Sequence, residues 1–314
     1  MLIHTTISPI YTVQDWLPSA VNASLTRIDR ETLEKISEIR MRKNGIITVT
    51  IDGRNRLLTS CGVEKESSCT VNVTGAEIDD FIYKACKGSV YSHEATLNSF
   101  YITHSGIRIG LGGSVDAKGN INEITSVNIR IPCHVSGCSS RAYEYFEKNG
   151  IDSGKGLLVI SPPGVGKTTL LRDLAQKLSC CRRNSGGMEM KRVCVIDERY
   201  EIFMPHVFDN CCVDFISGTD KQTGIERAVR LLSPEIIICD EISGEEEAKK
   251  ITKCKHNGTV FVASFHCEGF EYVMKNSFIS RMFDEGVFGG VCALKRGKNG
   301  KVISEVFTLG EGNA

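Results

Sequence analysis

Leu157-Leu158-Val159-Ile160-Ser161-Pro162-Pro163-Gly164-Val165-Gly166-Lys167-Thr168-Thr169-Leu170-Leu171 is an apolar run, a turn holding two glycines and the opening of a helix. That order of strand, glycine turn and helix is what a phosphate-binding loop requires. Gly164 and Gly166 let the backbone turn so that successive N–H groups face inward at phosphate oxygens. The helix start behind them adds unsatisfied donors and the positive end of its dipole. Ser161, Pro162, Pro163, Gly164, Val165, Gly166, Lys167, Thr168 and Thr169 are therefore the candidate nucleotide-binding residues. Lys167 is expected at the β- and γ-phosphates and Thr168 on Mg²⁺, so ATP and Mg²⁺ are the expected cofactors. Ser161 stands where the usual loop pattern has its first glycine.

Three further apolar runs follow, each ending in groups suited to chemistry. Arg192-Val193-Cys194-Val195-Ile196-Asp197-Glu198-Arg199 and Pro234-Glu235-Ile236-Ile237-Ile238-Cys239-Asp240-Glu241 end in carboxylates, and Thr259-Val260-Phe261-Val262-Ala263-Ser264-Phe265-His266 ends in histidine. Helical periodicity over 168–181, 222–232 and 244–254 separates them. Strands this continuously apolar, alternating with helices, predict an α/β fold with a parallel sheet covered on both faces. Active groups of such sheets gather at the C-terminal strand ends. Asp240 is the expected acidic residue beside Mg²⁺, through a water. Glu241 or Glu198 is the candidate base for the attacking water, and His266 a candidate γ-phosphate contact. Arg227, Arg230 and Arg281 are candidate phosphate ligands or fingers reaching a neighbouring subunit.

The rest of the chain bounds these readings. Its 314 residues suit two domains, and 38 basic against 38 acidic residues give no net charge. That balance, with no interleaving of aromatic and basic residues, argues against a nucleic-acid-binding surface. No apolar stretch approaches the roughly 20 residues that span a bilayer, and no signal peptide opens the chain, so a cytosolic protein is expected. Fourteen cysteines are many. Cys133, Cys138 and Cys254 lack a well-spaced second ligand pair, and reduced thiols are the expected state.

The region before the loop reads as a smaller mixed α/β domain, residues 1–135, with 136–314 forming the second domain and the boundary inside 132–153. Leu25 to Ile39 has helical spacing. Ile46 to Ile51 and Arg54 to Leu58 flank Asp52-Gly53 as a hairpin. Thr74 with Glu77 caps a helix to Lys87, and a short helix is expected over Tyr91–Thr96. Phe100–Thr103 and Ile107–Leu111 form a second hairpin, and Val127–Ile131 a strand. Ser139–Lys148 is a helix leading into the second domain. After His266 come helices at 272–276 and 278–284, then a hairpin of 289–294 with 302–307. The stretch 182–187 is expected as a solvated turn and 310–314 as a frayed end.

E-I-R-M-R at 38–42, N-I-R-I-P at 128–132, S-P-P-G-V-G-K-T-T-L-L-R-D-L at 161–174, V-I-D-E-R at 195–199, L-L-S-P-E-I-I-I-C-D-E-I at 231–242 and F-D-E-G-V-F at 283–288 together resemble the stage III sporulation protein AA family of endospore-forming bacteria. That family is similar to the secretion-superfamily ATPases. The resemblance implies a RecA-like P-loop NTPase core after an N-terminal domain, and a homo-oligomer, imagined as a hexamer. It implies work in the mother-cell cytoplasm, peripheral to membrane-embedded sporulation channel proteins facing the forespore. Within it, a loop beginning at Ser161 is the expected form, Asp197-Glu198-Arg199 falls at an acidic box and His266 at a histidine box. The function so implied is an ATP-hydrolysing motor. The alternatives are a RecA-like nucleic-acid-dependent ATPase and a nucleotide-gated structural component with little turnover.

Overall fold

A computed structural model describes residues 9–64, 69–88, 97, 99–104, 106–180, 189–204, 206–255, 258–297 and 302–308. The short helix expected at 91–96, the turn at 182–187 and the frayed end at 310–314 lie outside the described residues. The chain divides into two compact units, Met1–Cys133 with Met204–His206, and His134–Phe203 with Val207–Ala314.

The first unit carries helices α1 (Pro9–Gln14), α2 (Ser19–Leu25), α3 (Arg30–Glu34) and α4 (Gly75–Ala85). Its strands are β1 (Ile36–Arg42), β2 (Thr48–Ile51), β3 (Arg54–Thr59), β4 (Gly62–Glu64), β5 (Tyr101–His104), β6 (Ile107–Val115) and β7 (Ile121–Arg130), in one sheet of order β4-β3-β2-β1-β7-β6-β5. Every pairing in it is antiparallel. Asp52 (φ 50°) and Gly53 (φ 74°) both take positive φ, which suits the tight turn between β2 and β3. Thr74 and Glu77 cap α4 reciprocally, side chain to backbone in both directions. The helical spacing of Leu25 to Ile39 fails at its end: Ile36–Ile39 is strand. Ile39 and Met41 point into the core from β1, which is paired on both sides by β2 and β7. Pairing with two partners outweighs a three-residue spacing that also fits a helix.

The second unit contains α5 (Ser140–Asn149), β8 (Gly156–Ser161), α6 (Lys167–Ser179), β9 (Val193–Asp197), β10 (Val213–Ser217), α7 (Lys221–Leu231), β11 (Ile236–Glu241), α8 (Glu245–Lys255), β12 (Val260–His266), α9 (Phe270–Val273), α10 (Ser277–Asp284), β13 (Phe288–Arg296) and β14 (Val302–Thr308). Its sheet runs β10-β9-β11-β12-β8-β13-β14. All pairings are parallel except β13 with β14. Alternation along the strands divides their apolar side chains between two cores. Leu157, Val159, Ile238 and Val262 meet α5 and α6 on one face. Leu158, Ile160, Ile237 and Phe261 meet α7, α8 and α10 on the other. This is the parallel sheet covered on both faces that the sequence predicts. Strand β10 has no counterpart in the sequence reading. It is a half-buried edge strand whose only strong apolar signal is Phe215-Ile216.

Not all thiols are free, against expectation: Cys180, capping the C-terminus of α6, is joined to Cys211 as a disulfide.

Candidate active site

Ser161, Asp197, Glu241 and His266 are the last residues of β8, β9, β11 and β12. The parallel order brings those four ends to one edge of the sheet. The loop between β8 and α6 lies there too. Gly164 (φ 72°) and Gly166 (φ 114°) hold left-handed conformations that a side chain would strain, and both open onto free space where a Cβ would stand. Arg296, at the end of β13, donates from Nη2 to the Gly164 carbonyl at 2.9 Å.

Lys167 is 7% exposed, and its Nζ donates to the carbonyls of Ser161 (3.2 Å) and Pro162 (3.5 Å). It also lies 2.7 Å from His266 Nδ1, while His266 Nε2 lies 3.3 Å from a Glu241 carboxylate oxygen. A neutral His266 that accepts at Nδ1 and donates from Nε2 satisfies both contacts. Burial lowers the pKa of Lys167, and the carboxylates of Glu241 and Asp240 oppose that shift.

Glu241 reaches this chain through a fault in the sheet. The register of β11 on β12 runs Cys239 to Ala263 and then Glu241 to Ser264, so Asp240 is an extra residue. Regular alternation would turn Glu241 to the face of Cys239. The bulge sets it instead level with Ser264, on the row that leads to His266. Burial pushes the Asp240 carboxyl up to about 6, reinforced by the carboxylates of Glu201, Asp197 and Glu241 and opposed by Lys221.

The carboxylates after β9 divide unequally. Asp197 is fully buried and accepts from the backbone N–H groups of Glu201 (2.8 Å), Ile202 (3.0 Å) and Phe203 (2.9 Å). Arg172, 2% exposed within α6, donates from Nε to the Ile202 carbonyl at 2.7 Å and from Nη2 to that of Glu201. The loop is thus held through both its amides and its carbonyls, and it brings Glu201 within electrostatic reach of Asp240. Glu198 is drawn to Lys221 instead, 3.5 Å away, and its side chain is 39% exposed. Sequence reading missed Glu201, Arg172 and Arg296. The signals available were the third acid of D-E-R-Y-E and a lone Arg-Asp pair inside the leucine stripe of α6. Arg227 and Arg230 are exposed on α7, and Arg281 pairs with Glu245 on the surface at 3.3 Å. None of the three has a contact with the loop among the described residues.

The residues present fit a nucleotide with Mg²⁺. The glycine turn leaves room, a helix start with Lys167 held on the carbonyls of Ser161 and Pro162 stands beside it, and the carboxylates of Asp240 and Glu241 lie within electrostatic reach of that lysine.

The family described as "Sporulation stage III, protein AA" matches residues 13–309. The chain belongs to that family. The stage III sporulation protein AA of Bacillus subtilis (strain 168) is 27% identical over 306 residues, covering 94% of both chains. Among solved structures, the Legionella pneumophila ATPase DotB superposes with a TM-score of 0.60 at 13% identity, over 98% of this chain and 82% of its own. The pilus retraction motor PilT, solved with bound ADP, gives 0.59 at 14% identity, over 89% and 81%. At those identities the likeness is one of fold, and the fold is that of RecA-like P-loop NTPases preceded by a smaller domain. The protein SEEDLING PLASTID DEVELOPMENT 1 of Arabidopsis thaliana is 32% identical over 154 residues, 47% of this chain and 21% of its own.

Proposed function

We propose that this member of the sporulation stage III protein AA family binds ATP with Mg²⁺ at residues 161–169 and hydrolyses it as the motor of a membrane-associated assembly. The observation that carries the reading is the line from Lys167 through His266 to Glu241 at the C-terminal edge of a parallel sheet. Family membership and the fold shared with DotB and PilT support it.

The chain's own groups divide the work. The N–H groups of the 164–168 turn and Lys167 bind the phosphates. Thr168 and Asp240 would hold Mg²⁺, which would supply charge neutralisation at the terminal phosphates. Lys167 must leave the carbonyls of Ser161 and Pro162 to reach a phosphate, and in leaving it releases His266. Glu241 then accepts the proton of the attacking water, with His266 free to donate toward the γ-phosphate. Glu198, held by Lys221, has a lesser part.

Among the described residues no helix is long and apolar enough to cross a membrane. We place the protein in the mother-cell cytoplasm as a homo-oligomeric ring, taken as a hexamer, against membrane-embedded channel proteins facing the forespore. That placement rests on the family. The test is phosphate release by purified protein beside Lys167→Ala and Glu241→Gln. Mg²⁺-dependent hydrolysis lost in both variants is the expected result. Equal rates in all three would overturn the site. Nucleotide binding without turnover in the wild type would make the protein a nucleotide-gated structural component, and stimulation by single-stranded nucleic acid would make it a nucleic-acid-dependent ATPase.

A further inference from the structure

Ser264 is completely buried, and its Oγ has no hydrogen-bond partner among the described residues. Its backbone is satisfied within the sheet, and its carbonyl accepts from Ile242 N–H at 2.8 Å. Only the hydroxyl is left over. Such a group costs free energy in any fold, and an alanine would fill the same place in the strand without that cost.

The position of the hydroxyl gives it a use. In β12, Ser264 is flanked by Val159 of β8 and by Glu241 of β11, two residues before His266. Alternation sends Val262 to the face covered by α6 and Ala263 to the opposite face. Ser264 and His266 therefore share the α6 face with Ser161, which is paired to His266. Other buried polar groups nearby are occupied. Ser161 Oγ donates to the Pro162 carbonyl at 2.7 Å, and Asp197 is saturated by three amides. Glu241, level with Ser264 because of the bulge, is at present turned to His266.

We propose that Ser264 is a positioning residue for hydrolysis, its hydroxyl donating to the Glu241 carboxylate once nucleotide has drawn Lys167 off His266. Glu241 has two alternative partners, His266 in the arrangement seen here and Ser264 when the site is loaded. With one carboxylate oxygen fixed from below by Ser264, the other is left to accept the proton from water. The unsatisfied Ser264 hydroxyl is the counterpart of a bond made during turnover. The inference rests on the ATP-hydrolysing function proposed above.

Ser264→Ala and Ser264→Thr in the full chain test it. For Ser264→Ala, the expected results are a thermal midpoint without nucleotide equal to or above that of the wild type, ADP affinity within about twofold, and kcat lower by roughly ten- to a hundredfold, the range of a hydrogen bond to a charged group. Ser264→Thr keeps the hydroxyl and should keep most of kcat. A clear fall in the nucleotide-free midpoint of the alanine variant would show that the hydroxyl is already bonded in the core and would overturn the proposal. Unchanged kcat, a loss confined to nucleotide affinity, or equal loss in both variants would overturn it as well. A wild type without ATPase activity would remove the function proposed above, and this inference with it. An active wild type with an unaffected alanine variant would remove this inference alone.

Discussion

The Lys167 ammonium rests 2.7 Å from Nδ1 of His266, a residue ninety-nine positions further along the chain. The same histidine touches Glu241 at 3.3 Å from its other nitrogen, so one imidazole links the candidate phosphate-binding lysine to the candidate base. A group placed there reports to both. His266→Ala should lower kcat by roughly ten- to a hundredfold, the range of a single acid–base or positioning contact. Nucleotide affinity should change little, because Lys167 keeps its own charge. Phosphate release measured beside equilibrium ADP binding separates the two effects. A loss of binding equal to the loss of rate would place His266 in ground-state recognition instead.

Glu198 follows the terminal aspartate of β9 and Glu241 follows Asp240 as the last residue of β11, yet only Glu241 is turned to His266. Glu241→Gln should leave nucleotide binding intact and remove most turnover. Glu198→Gln, at a partly exposed side chain paired with the buried Lys221, should cost less than about tenfold in kcat. Single-turnover hydrolysis by the two variants compares them directly. A reversed order would assign the base to the β9 end of the sheet.

Arg172 holds the loop after β9 by its carbonyls, at Glu201 and Ile202. Lysine there keeps the charge but lacks the planar fork. Arg172→Lys should loosen residues 200–203 and misplace Glu201, one of the acids that raises Asp240. Faster amide exchange at Ile202 and Phe203, together with reduced kcat, is the expected pair of results. Exchange unchanged from the wild type would show that the Asp197 side chain alone suffices.

Asp173 is fully buried in α6, where it accepts from the N–H groups of Gly137 (3.0 Å) and Ser139 (2.8 Å) and faces Lys177 at 3.3 Å. Burial pushes its carboxyl upward, but the bonds from Ser139 and Gly137 and the charge of Lys177 outweigh it and hold its pKa below the ordinary carboxylate value. A carboxylate with a depressed pKa stabilises the fold fully above the unfolded value. That contribution is lost as pH falls below about 4 and through the folded pKa. Asp173→Asn should cost about 2–4 kcal/mol at pH 7, since it leaves buried donors poorly met. It should also flatten the dependence of stability on pH below about 4. Urea unfolding at pH 7 and pH 3.5 measures both.

The core of the site was legible because it lies in one continuous run. Residues 157–171 supply strand, turn and helix without help from distant chain, and near-continuous apolar strands announce a buried parallel sheet. What escaped depends on partners far away in sequence. Strand β10 has too little apolar character to declare itself and forms by pairing with β9. Ile36 to Ile39 fits a helix locally and becomes strand through β2 and β7. Glu198 and Glu201 flank the same turn, and only the hydrogen bonds of Asp197 and Arg172 decide which of them approaches Asp240. The bulge at Asp240 is likewise invisible in I-I-I-C-D-E, because it exists only as a register against β12.

The bond between Cys180 and Cys211 spans 31 positions of sequence. It closes a covalent ring that contains β9, the buried Asp197 and the clamped turn at 200–203. The acidic side of the site is therefore fastened to the helix of the phosphate loop twice, once along the peptide chain and once through sulfur. A single backbone cut within the ring would leave one molecule of unchanged connectedness, with β9 still tied to α6. Such a nicked chain would migrate whole until a reductant is added, and would then part into two.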